Sequence, residues 1–230
     1  MKTAYTIRIE NSFKSILPER WSTLSGTLSA NGSYNPFLSH AFLSSLEESG
    51  SASAKSGWMG HHLLLESDDG TLIGAVPCYL KNHSQGEYVF DQGWADAFER
   101  AGGHYYPKLQ ASIPFTPATG PRLLVAGGED EAMIKAGLAG GLKKVTRQLG
   151  VSSAHVTFVP DDEVPFFEDE GYLHRTDQQF HFINDGYANH EAFLETLSSR
   201  KRKDLRKERR AALEGGISID WLTGKDLTED

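Results

Sequence analysis

The residues best suited to binding a small molecule lie in one stretch of the chain, from His104 to Thr119. Aromatic rings, hydroxyl groups and a placed charge are the groups that orient ligands in small-molecule pockets. This stretch supplies them at Tyr105, Tyr106, Lys108 and Thr116. Its prolines predict a loop, because proline donates no ladder hydrogen bond and is excluded from central strands. The sequence therefore predicts either a pocket wall or an aromatic loop folded over the core.

A glycine break follows this stretch and precedes a long helical pattern. Residues 120–125 have the pattern of a strand, and apolar residues at three- and four-residue spacing run from Glu129 to Leu149, where Gly150 is expected to end the helix. Free backbone N–H groups at the start of a helix attract phosphate. The cofactor-binding residues expected at this break are Val125, Ala126, Gly127 and Gly128. Three carboxylates at positions 129–131 oppose a phosphate, so a simple turn is the alternative.

Metal, disulfide and serine-hydrolase chemistry are not favoured by the sequence. Nine histidines are present, but none has the HxxxH or HExxH spacing of a metal site, and we expect no metal. The single cysteine, Cys78, excludes an intrachain disulfide and lies among apolar residues, which predicts a buried thiol. The Gly-x-Ser-x-Gly motif of serine hydrolases does not occur.

Charge is distributed unevenly along the chain. The net charge is −8, and the 39% hydrophobic content is that of a globular protein with a core. Residues 200–210 hold eight of the 23 basic residues and two of the 31 acidic ones, so the rest of the chain has 15 basic residues against 29 acidic ones. This basic segment predicts contact with an anionic partner, or a solvated helix that pairs with the acidic body.

Alternating strand and helix patterns provide the elements that would hold these residues. The predicted strands are 4–10, 61–66, 71–81, 86–90, 121–125, 154–159, 171–184 and 217–222. The predicted helices are 18–24, 36–48, 91–103, 129–149, 165–170 and 190–213. Residues 68–70 predict a hairpin turn because an Asp-Gly pair supplies positive φ. Residues 29–35 have the composition of a loop, and the small polar segment 49–57 is expected to be mobile.

Four segments of the chain resemble those of a known bacterial family. Their sequences are NPFLSH (35–40), GAVPCYLK (74–81), FDQGWA (90–95) and PFTPATGPRLL (114–124). In them the chain is similar to predicted N-acyltransferases labelled peptidoglycan biosynthesis/recognition, which are related to the Fem-type transferases that add amino acids to cell-wall precursors. The resemblance covers nearly the whole chain. The strand and helix order after residue 120 also resembles the second half of the GNAT acyltransferase fold.

The resemblance implies both a fold and an activity. The fold would be α/β (α+β) and GNAT-like, with a central mixed, mostly antiparallel sheet flanked by helices. The activity would be transfer of an acyl or aminoacyl group from acyl-CoA or aminoacyl-tRNA to an amine, such as that of a peptidoglycan precursor. The amine would attack directly, without a metal or a covalent enzyme intermediate. The alternative is a non-catalytic module of this fold that recognises a precursor, RNA or a protein partner.

The implied reaction selects candidate site residues. A base must deprotonate the attacking ammonium, and the candidates are Asp91, His104 and Glu87, with Asp91 and His104 preferred. The residues expected to bind the substrate are Trp94, Tyr105, Tyr106, Lys108 and Thr116. Arg122, the charged residue of the most distinctive matched segment, either binds an anionic ligand or pairs with a carboxylate beside its strand.

The resemblance also implies a domain organisation and partners. We expect residues 1–184 to form one GNAT-like N-acyltransferase domain, and residues 185–230 to form the opening strand, basic helix and strand of a second, truncated one. The basic segment Arg200–Arg210 would contact tRNA or an anionic precursor. The start of the chain lacks the pattern of a secretory signal and no apolar window is long enough to span a membrane, which predicts a cytoplasmic protein.

Overall fold

A computed structural model describes residues 5–24, 34–128 and 130–227 of the chain. The chain divides into two compact units, one ending at Arg175 and the other beginning at Thr176. Most of the loop expected at 29–35 lies outside the described residues, as does Glu129.

The described part of the first unit contains eight strands and five α-helices. Its strands are β1 (Tyr5–Glu10), β2 (Trp58–Gly60), β3 (His62–Ser67), β4 (Leu72–Val76), β5 (Cys78–Lys81), β6 (Lys108–Ala111), β7 (Leu124–Val125) and β8 (Ala154–Val156). Its helices are α1 (Pro18–Ser22), α2 (His40–Glu48), α3 (Gln92–Arg100), α4 (Glu131–Leu149) and α5 (Val164–Asp169). Two short 3-10 turns lie at Phe13–Ser15 and Pro36–Leu38.

The strands form two four-stranded sheets. The first has the order β1-β3-β4-β7 and the second the order β2-β5-β6-β8. The chain passes between the sheets at His61 and again at Pro77. Proline has no backbone N–H to donate, and Pro77 is tolerated because it lies between two strands, where the ladder is interrupted. All pairings are antiparallel except β6 with β8. The expected mixed, mostly antiparallel α/β architecture is confirmed, with the strands divided between two sheets.

Helix α4 packs against strands of both sheets and forms the centre of the main core. Its buried stripe is Ile134, Leu138, Leu142 and Val145, and it contacts Leu63, Leu65, Val76, Cys78, Leu109 and Ala111. Each large aliphatic side chain buried there contributes roughly 1.5–3 kcal/mol. A Cβ at Gly141 would lie 2.3 Å from Cδ1 of Ile7, so this glycine lets the helix approach β1 closely. Gly150 ends α4 at φ +65, which confirms the predicted glycine stop.

A second cluster covers other strand residues of the first sheet. Phe13, Trp21, Leu38 and Leu43 pack there with Leu64, Ala75 and Leu124. The predicted helix 36–48 begins as a 3-10 turn, and α2 starts afresh because the Ser39 hydroxyl accepts the N–H of Phe42 (3.2 Å). The predicted strand at the start of the chain, α1 and α5 are confirmed, and β3 and β4 form the predicted hairpin. The predicted strand 71–81 is instead divided at Pro77, and its second part, β5, belongs to the second sheet.

One central strand lies where a loop was expected. Strand β6 pairs with β5 on one side and β8 on the other, inside the 104–119 stretch. The loop prediction was wrong because Pro107 and Pro114 flank the four strand residues without interrupting them. The segment 49–57 also differs from expectation. It is folded into turns in which Ala52 is buried and the Ser56 hydroxyl donates to the Ser51 carbonyl (2.7 Å).

Three predicted strands do not form within the described residues. Residues 86–90, 171–184 and 217–222 have no regular strand ladder. An alternating pattern makes a segment suitable for a sheet, but a strand requires a partner, and no described strand pairs with these segments.

The second unit contains two helices in its described part, α6 (His190–Glu195) and α7 (Ser199–Leu213). Asn189 caps α6, since its side chain accepts the N–H of Ala192 (3.0 Å). The predicted single helix 190–213 is divided at Ser198, whose hydroxyl accepts the N–H of Lys201 (3.5 Å) and begins α7.

Candidate functional site

The second sheet has one apolar face and one polar face. Residues paired across neighbouring strands share a face. The register places Trp58, Tyr79, Lys81, Lys108, Gln110 and His155 on one face. The opposite face carries Cys78, Leu80, Leu109, Ala111, Ala154 and Val156, which belong to the main core. The polar face is nevertheless buried, because Lys81, Lys108 and Gln110 all have 0% exposure.

Lys108 is the centre of the polar face. Its Nζ donates to Ser84 Oγ (2.9 Å), Glu87 Oε2 (2.8 Å) and Asp91 Oδ2 (2.7 Å). These bonds use all three N–H groups of the ammonium. They offset part of the cost of burying the charge, which is several kcal/mol for an unpaired ion. The segment between β5 and α3 supplies all three acceptors.

The two carboxyl groups bound to Lys108 differ in proton affinity. Burial raises the pKa of Glu87 above its usual value, although Lys108 opposes the shift. Burial also acts on Asp91, but hydrogen bonds from Lys108, Ser84 and Tyr105 outweigh it and lower the pKa of Asp91. The Tyr105 hydroxyl donates to Asp91 Oδ2 at 2.8 Å. Glu87 is therefore the stronger base of the pair.

A second lysine, Lys81, lies opposite Lys108 on the neighbouring strand. Its Nζ is 3.6 Å from the centre of the Trp58 ring and donates to the Gln85 carbonyl (3.2 Å). Burial lowers the pKa of Lys81 to about 7; Glu87 opposes this shift and Lys108 adds to it. Near neutral pH, Lys81 is therefore partly uncharged, and Lys108 is the main cation facing the two carboxylates.

His155 completes the polar face on β8. Burial lowers its pKa to about 4, Lys108 adds to that shift and Asp91 opposes it. Its Nε2 lies 2.9 Å from Ser153 Oγ, and its ring packs against Tyr105 with 5.8 Å between ring centres. At physiological pH, His155 is consequently a neutral hydrogen-bonding group.

Several buried polar atoms of this region have no hydrogen-bond partner in the described protein. Each carboxyl group contributes one such atom, Glu87 Oε1 and Asp91 Oδ1. The others are Trp58 Nε1, Tyr79 OH, Gln110 Oε1 and Ser112 Oγ. Buried polar atoms are normally paired, because each unpaired one costs about 1–3 kcal/mol. All six belong to the polar face, its covering segment or the residue that follows β6.

Two segments, 82–91 and 114–119, lie over the polar face and are called the cover below. They are joined by a hydrogen bond from the Phe115 N–H to the Gly86 carbonyl (3.1 Å). The Phe115 ring packs on Trp58 with 5.5 Å between ring centres. Tyr88 and Phe115 have φ of 56° and 57°, a region that bulky residues rarely adopt. Such backbone costs about 1–3 kcal/mol and is concentrated at functional sites.

Arg122 fixes the chain after the cover. Its buried guanidinium donates to the carbonyl oxygens of Ala118 (2.7 Å), Gly120 (2.8 Å), Pro121 (3.2 Å) and Thr157 (2.9 Å). The Glu163 carboxylate accepts the backbone N–H groups of Arg122 (2.8 Å) and Leu123 (3.2 Å). Burial lowers the pKa of Arg122 to about 10 and raises that of Glu163 to about 6. The guanidinium is thus engaged by backbone oxygens.

Four of the residues predicted for the site lie together. Asp91, Tyr105 and Lys108 are joined by the hydrogen bonds described above, and the Tyr106 hydroxyl lies 2.8 Å from Ser84 Oγ. Glu87, weighed as a base from sequence, belongs to the same cluster.

The other predicted substrate and catalytic residues lie outside this cluster. Trp94 is 65% exposed on α3, whose one buried residue is Ala95. His104 is exposed, whereas Asp91 is hydrogen-bonded by Tyr105 and Lys108. The Thr116 hydroxyl donates to the nearby Pro114 carbonyl (3.0 Å).

Comparison with known proteins identifies the family. A family model described as FemAB-like, peptidoglycan biosynthesis/recognition, matches residues 12–230. The chain belongs to the FemAB-like family. The resemblance carried by the four sequence segments is thereby confirmed, and membership supports an N-acyltransferase type of role.

Other comparisons add less about this FemAB-like chain. None of the curated proteins matches it. Among solved structures, it is similar to an aminoglycoside antibiotic 6'-N-acetyltransferase from Acinetobacter baumannii, with 14% identity over 79% of this chain and 99% of that chain. The TM-score of 0.43 is too low to support an inference about activity.

The glycine break of the FemAB-like chain offers few backbone donors. Val125 pairs with Gly74 in the first sheet, and the Ala126 N–H donates to the Ile73 carbonyl (3.2 Å). Gly127 and Gly128 are exposed and have positive φ. The helix after them begins with the carboxylates of residues 130 and 131, which repel a phosphate. These residues therefore fit a pyrophosphate poorly.

Sequence reasoning missed several members of the polar face. They are Tyr79, Lys81, Ser84, Gln110 and His155. The signal that would have found β6 is the strict alternation of polar and apolar residues in 108–113, KLQASI. That alternation normally indicates a solvated polar face, so it would have identified the strand without revealing that its polar side is buried.

The second unit of the FemAB-like chain carries a basic helix and an aromatic cluster. Of the eight basic residues in 200–210, only Arg202 is half-buried and the others are exposed; Arg206 pairs with Glu191 of α6. The rings of Phe182, Tyr187 and Phe193 lie within 6.3 Å of one another, measured between centres. A groove of about 210 Å³ is lined by Phe182, Asn184, Tyr187, Asn189, His190 and Phe193.

Three further features of the described chain bear on the site. The described residues contain no cluster of three or more His, Cys, Asp or Glu side chains that could hold a metal ion. The helices of the same residues are too short or too polar to cross a membrane. A groove of about 430 Å³ beside the β3–β4 turn contains none of the predicted site residues; it is lined by Glu19, Arg20, Thr23, Asp69, Gly70, Thr71 and Leu72.

Proposed function

We propose that this protein transfers an acyl group to an amine whose ammonium form binds on the polar face of the second sheet. One observation carries the proposal: Glu87 Oε1 and Asp91 Oδ1 are buried beside Lys108 without hydrogen-bond partners. An ammonium carries three N–H donors and one positive charge. The ammonium would donate hydrogen bonds to both unpaired oxygens. Its charge would also balance the second carboxylate, because Lys108 neutralises only one of the two and Lys81 is partly neutral. Membership of the FemAB-like family supports this class of reaction.

The proposed reaction needs a base and an anchor for the amine. Glu87 accepts the proton from the ammonium because its raised pKa makes it the stronger base. Asp91 holds the nitrogen while remaining ionised. The neutral amine then attacks the carbonyl carbon of a thioester or ester, a C–N bond forms, and the C–S or C–O bond breaks. The departing thiolate or alkoxide takes up the second proton, which the nitrogen loses as the amide forms, and Glu87 releases the first proton to solvent.

The proposed donors are acyl-CoA and aminoacyl-tRNA. The basic residues of α7 support tRNA, since clustered cations bind phosphates with release of counterions. The aromatic rings of the second unit support it further because unpaired bases stack on such rings. The poor fit of residues 125–128 to a pyrophosphate weighs against CoA at that position.

The enzymatic proposal is tested by acyl transfer with the full chain. Acetyl-CoA, longer acyl-CoAs and aminoacyl-tRNA are supplied as donors with an amine-bearing peptidoglycan precursor, and products are measured by mass spectrometry. Glu87→Gln should reduce turnover about 10²- to 10⁴-fold. Glu99→Gln, an exposed change on α3, is the matched control and should retain turnover. Undiminished turnover in Glu87→Gln would remove Glu87 as the base.

The tRNA proposal is tested by fluorescence anisotropy at salt concentrations from about 50 to about 200 mM. Affinity should fall steeply with salt, and reversing the charge of Arg200, Lys203, Lys207 and Arg210 to glutamate should remove most of it. Reversing Lys144 and Arg147 on α4 is the matched control. Equal binding of anionic lipid vesicles, with no preference for tRNA, would contradict the RNA assignment and favour a membrane surface.

A binding module is the second candidate function, favoured by the carboxylates that flank the glycine break. Such a module would bind the amine on the polar face but would bind no donor. Calorimetry with each donor separates the two functions. Amine binding without binding or turnover of any donor would favour the module and refute the enzyme.

A further inference from the structure

We infer that the polar face has a second binding position, which takes a neutral amide or hydroxyl group carried by the same molecule as the amine. This position deepens the proposed function and rests on it for the ammonium. It consists of the unpaired polar atoms other than the two carboxylate oxygens. These atoms are Trp58 Nε1, Tyr79 OH, Gln110 Oε1 and Ser112 Oγ.

The register of the sheet places this position beside the ammonium site. Tyr79 lies directly opposite Gln110, and each is two residues along its strand from the Lys81–Lys108 pair. Two residues of a strand span about 7 Å. Trp58 lies opposite Lys81, and its ring centre is 5.4 Å from that of Tyr79. Tyr79 and Gln110 are therefore one step of the ladder from the Lys81–Lys108 pair, on the same face of the sheet.

The orientation of the Gln110 amide is fixed by the protein. Its Nε2 donates to Thr157 Oγ1 (3.2 Å), which leaves the carbonyl oxygen Oε1 as the free atom. This oxygen accepts a hydrogen bond, the Trp58 N–H donates one, and the Tyr79 hydroxyl can do either. A group with both a donor and an acceptor matches this set.

The charges around this position select a neutral group. A carboxylate or phosphate would meet the Gln110 carbonyl oxygen and, about 7 Å away, the two carboxylates. An amide or a hydroxyl carries no charge and offers both donor and acceptor. The chemical class is therefore an amine with an amide or hydroxyl group about 7 Å from its nitrogen.

The backbone of the cover supports a site that binds ligands. Gly86 approaches the Trp58 ring so closely that a Cβ would lie 3.2 Å from Nε1 and 2.6 Å from the Phe115 ring. Residues with rare positive φ flank this contact at Tyr88 and Phe115. A close approach held by unfavourable backbone is the arrangement found at ligand clamps.

The test uses calorimetry with the full chain and three probes: butylamine, butanamide and 4-aminobutanamide. The last should bind about tenfold more tightly than butylamine, since it adds hydrogen bonds at the neutral position. Tyr79→Phe removes one unpaired hydroxyl and should bring the ratio of the two affinities, 4-aminobutanamide over butylamine, toward one. Tyr172→Phe is the matched control, because the Tyr172 hydroxyl already donates to the Ala139 carbonyl (3.3 Å) in another part of the same unit. It should keep the full ratio.

Thermal unfolding of the same variants gives a second readout. Tyr79→Phe should hold or raise Tm, because it deletes a buried hydroxyl that lacks a partner. Tyr172→Phe should lower Tm. A fall in Tm for Tyr79→Phe that equals the control's would show that its hydroxyl already has a structural partner, and would overturn the inference.

The outcomes separate this inference from the proposed function. Equal affinities of butylamine and 4-aminobutanamide for the unchanged protein overturn the neutral position and leave the ammonium site standing. Failure of both amines to bind refutes the ammonium site. In that case, butanamide decides the neutral position. If butanamide binds the unchanged protein and Tyr79→Phe weakens its binding, the neutral position is supported. If butanamide does not bind, the neutral position is overturned as well.

Discussion

Replacing Lys108 by methionine removes the cation at the centre of the polar face while nearly preserving side-chain volume. The ammonium makes hydrogen bonds of 2.7, 2.8 and 2.9 Å, two of them to carboxylates. Removing one partner of a buried ion pair costs about 3–5 kcal/mol because the remaining charge stays buried. Two carboxylates would remain here, so we expect a loss near the upper end of that range. A protein of this kind has a total free energy of unfolding of about 5–15 kcal/mol.

The loss should depend on pH with a definite sign. Without Lys108, the folded-state pKa values of Glu87 and Asp91 rise above their unfolded values. Stability of the variant then increases as pH falls through those raised values, since the folded state binds protons more tightly. The difference between unchanged and variant protein should therefore shrink between about pH 7 and about pH 4.

Urea unfolding at several pH values, followed by circular dichroism and tryptophan fluorescence, measures this difference. Lys144→Met is the matched control, because Lys144 is an exposed lysine of α4 and exposed charges contribute below about 1 kcal/mol. Adding Glu87→Gln and Asp91→Asn to Lys108→Met should restore part of the stability by removing the stranded charges. A loss below about 1 kcal/mol, or one equal at both ends of the pH range, would refute the assignment of Lys108 as a buried cation.

Three further predictions concern other parts of the first unit. Burial raises the pKa of Glu163 from 4.5 to about 6. The stabilisation from the protonated Glu163 is therefore complete below pH 4.5 and is lost as pH rises through 6, a change of about 2 kcal/mol in the free energy of unfolding. Glu163→Gln should flatten this pH dependence in urea titrations. Gly141→Ala should cost about 1–3 kcal/mol by overpacking against Ile7, and Ile7→Val in the same protein should recover most of it, as measured by chemical unfolding. If the double variant is no more stable than the single one, the close contact is not the cause. Cys78 should resist thiol reagents in the folded protein and react in urea, because burial raises the pKa of its thiol; rapid native labelling would contradict its placement in the core.

The parts of the fold that sequence predicts well are those whose signals are local. The stripe of α4, its Gly150 stop, the Asp-Gly hairpin turn and the strand at the start of the chain all follow from spacing and turn chemistry within one segment. Cys78 was likewise predicted to be buried from its apolar neighbours. None of these depends on which distant segment lies next to it.

The polar face could not be predicted because its burial depends on distant residues. In β6, Lys108 and Gln110 alternate with apolar residues, a pattern that normally indicates a solvated side. They are buried because residues 82–91 and 114–119 lie over them. The aromatic stretch was singled out for its side-chain types, but the sequence did not reveal that Lys81 lies opposite Lys108.

The missed and unformed strands show the same limit. Residues 171–184 and 217–222 were predicted as strands yet form no strand among the described residues, while the short β7 forms because Gly74 and Ala75 pair with it. Pairing, unlike helix formation, is completed by residues far away in the sequence. A strand pattern alone therefore predicts where a strand can form, without establishing that it does.

The cover over the polar face has a consequence for hydrogen exchange and for affinity. Its two segments have no strand ladder and lie over charged groups, so local opening there should require less free energy than opening the β1-β3-β4 sheet. Amide hydrogens of residues 82–91 and 114–119 should then exchange well before those of β3. Any ligand that needs the open form binds with an apparent affinity reduced by the fraction of molecules that are open. Changes in the cover that favour opening should therefore tighten binding without altering a single contact to the ligand.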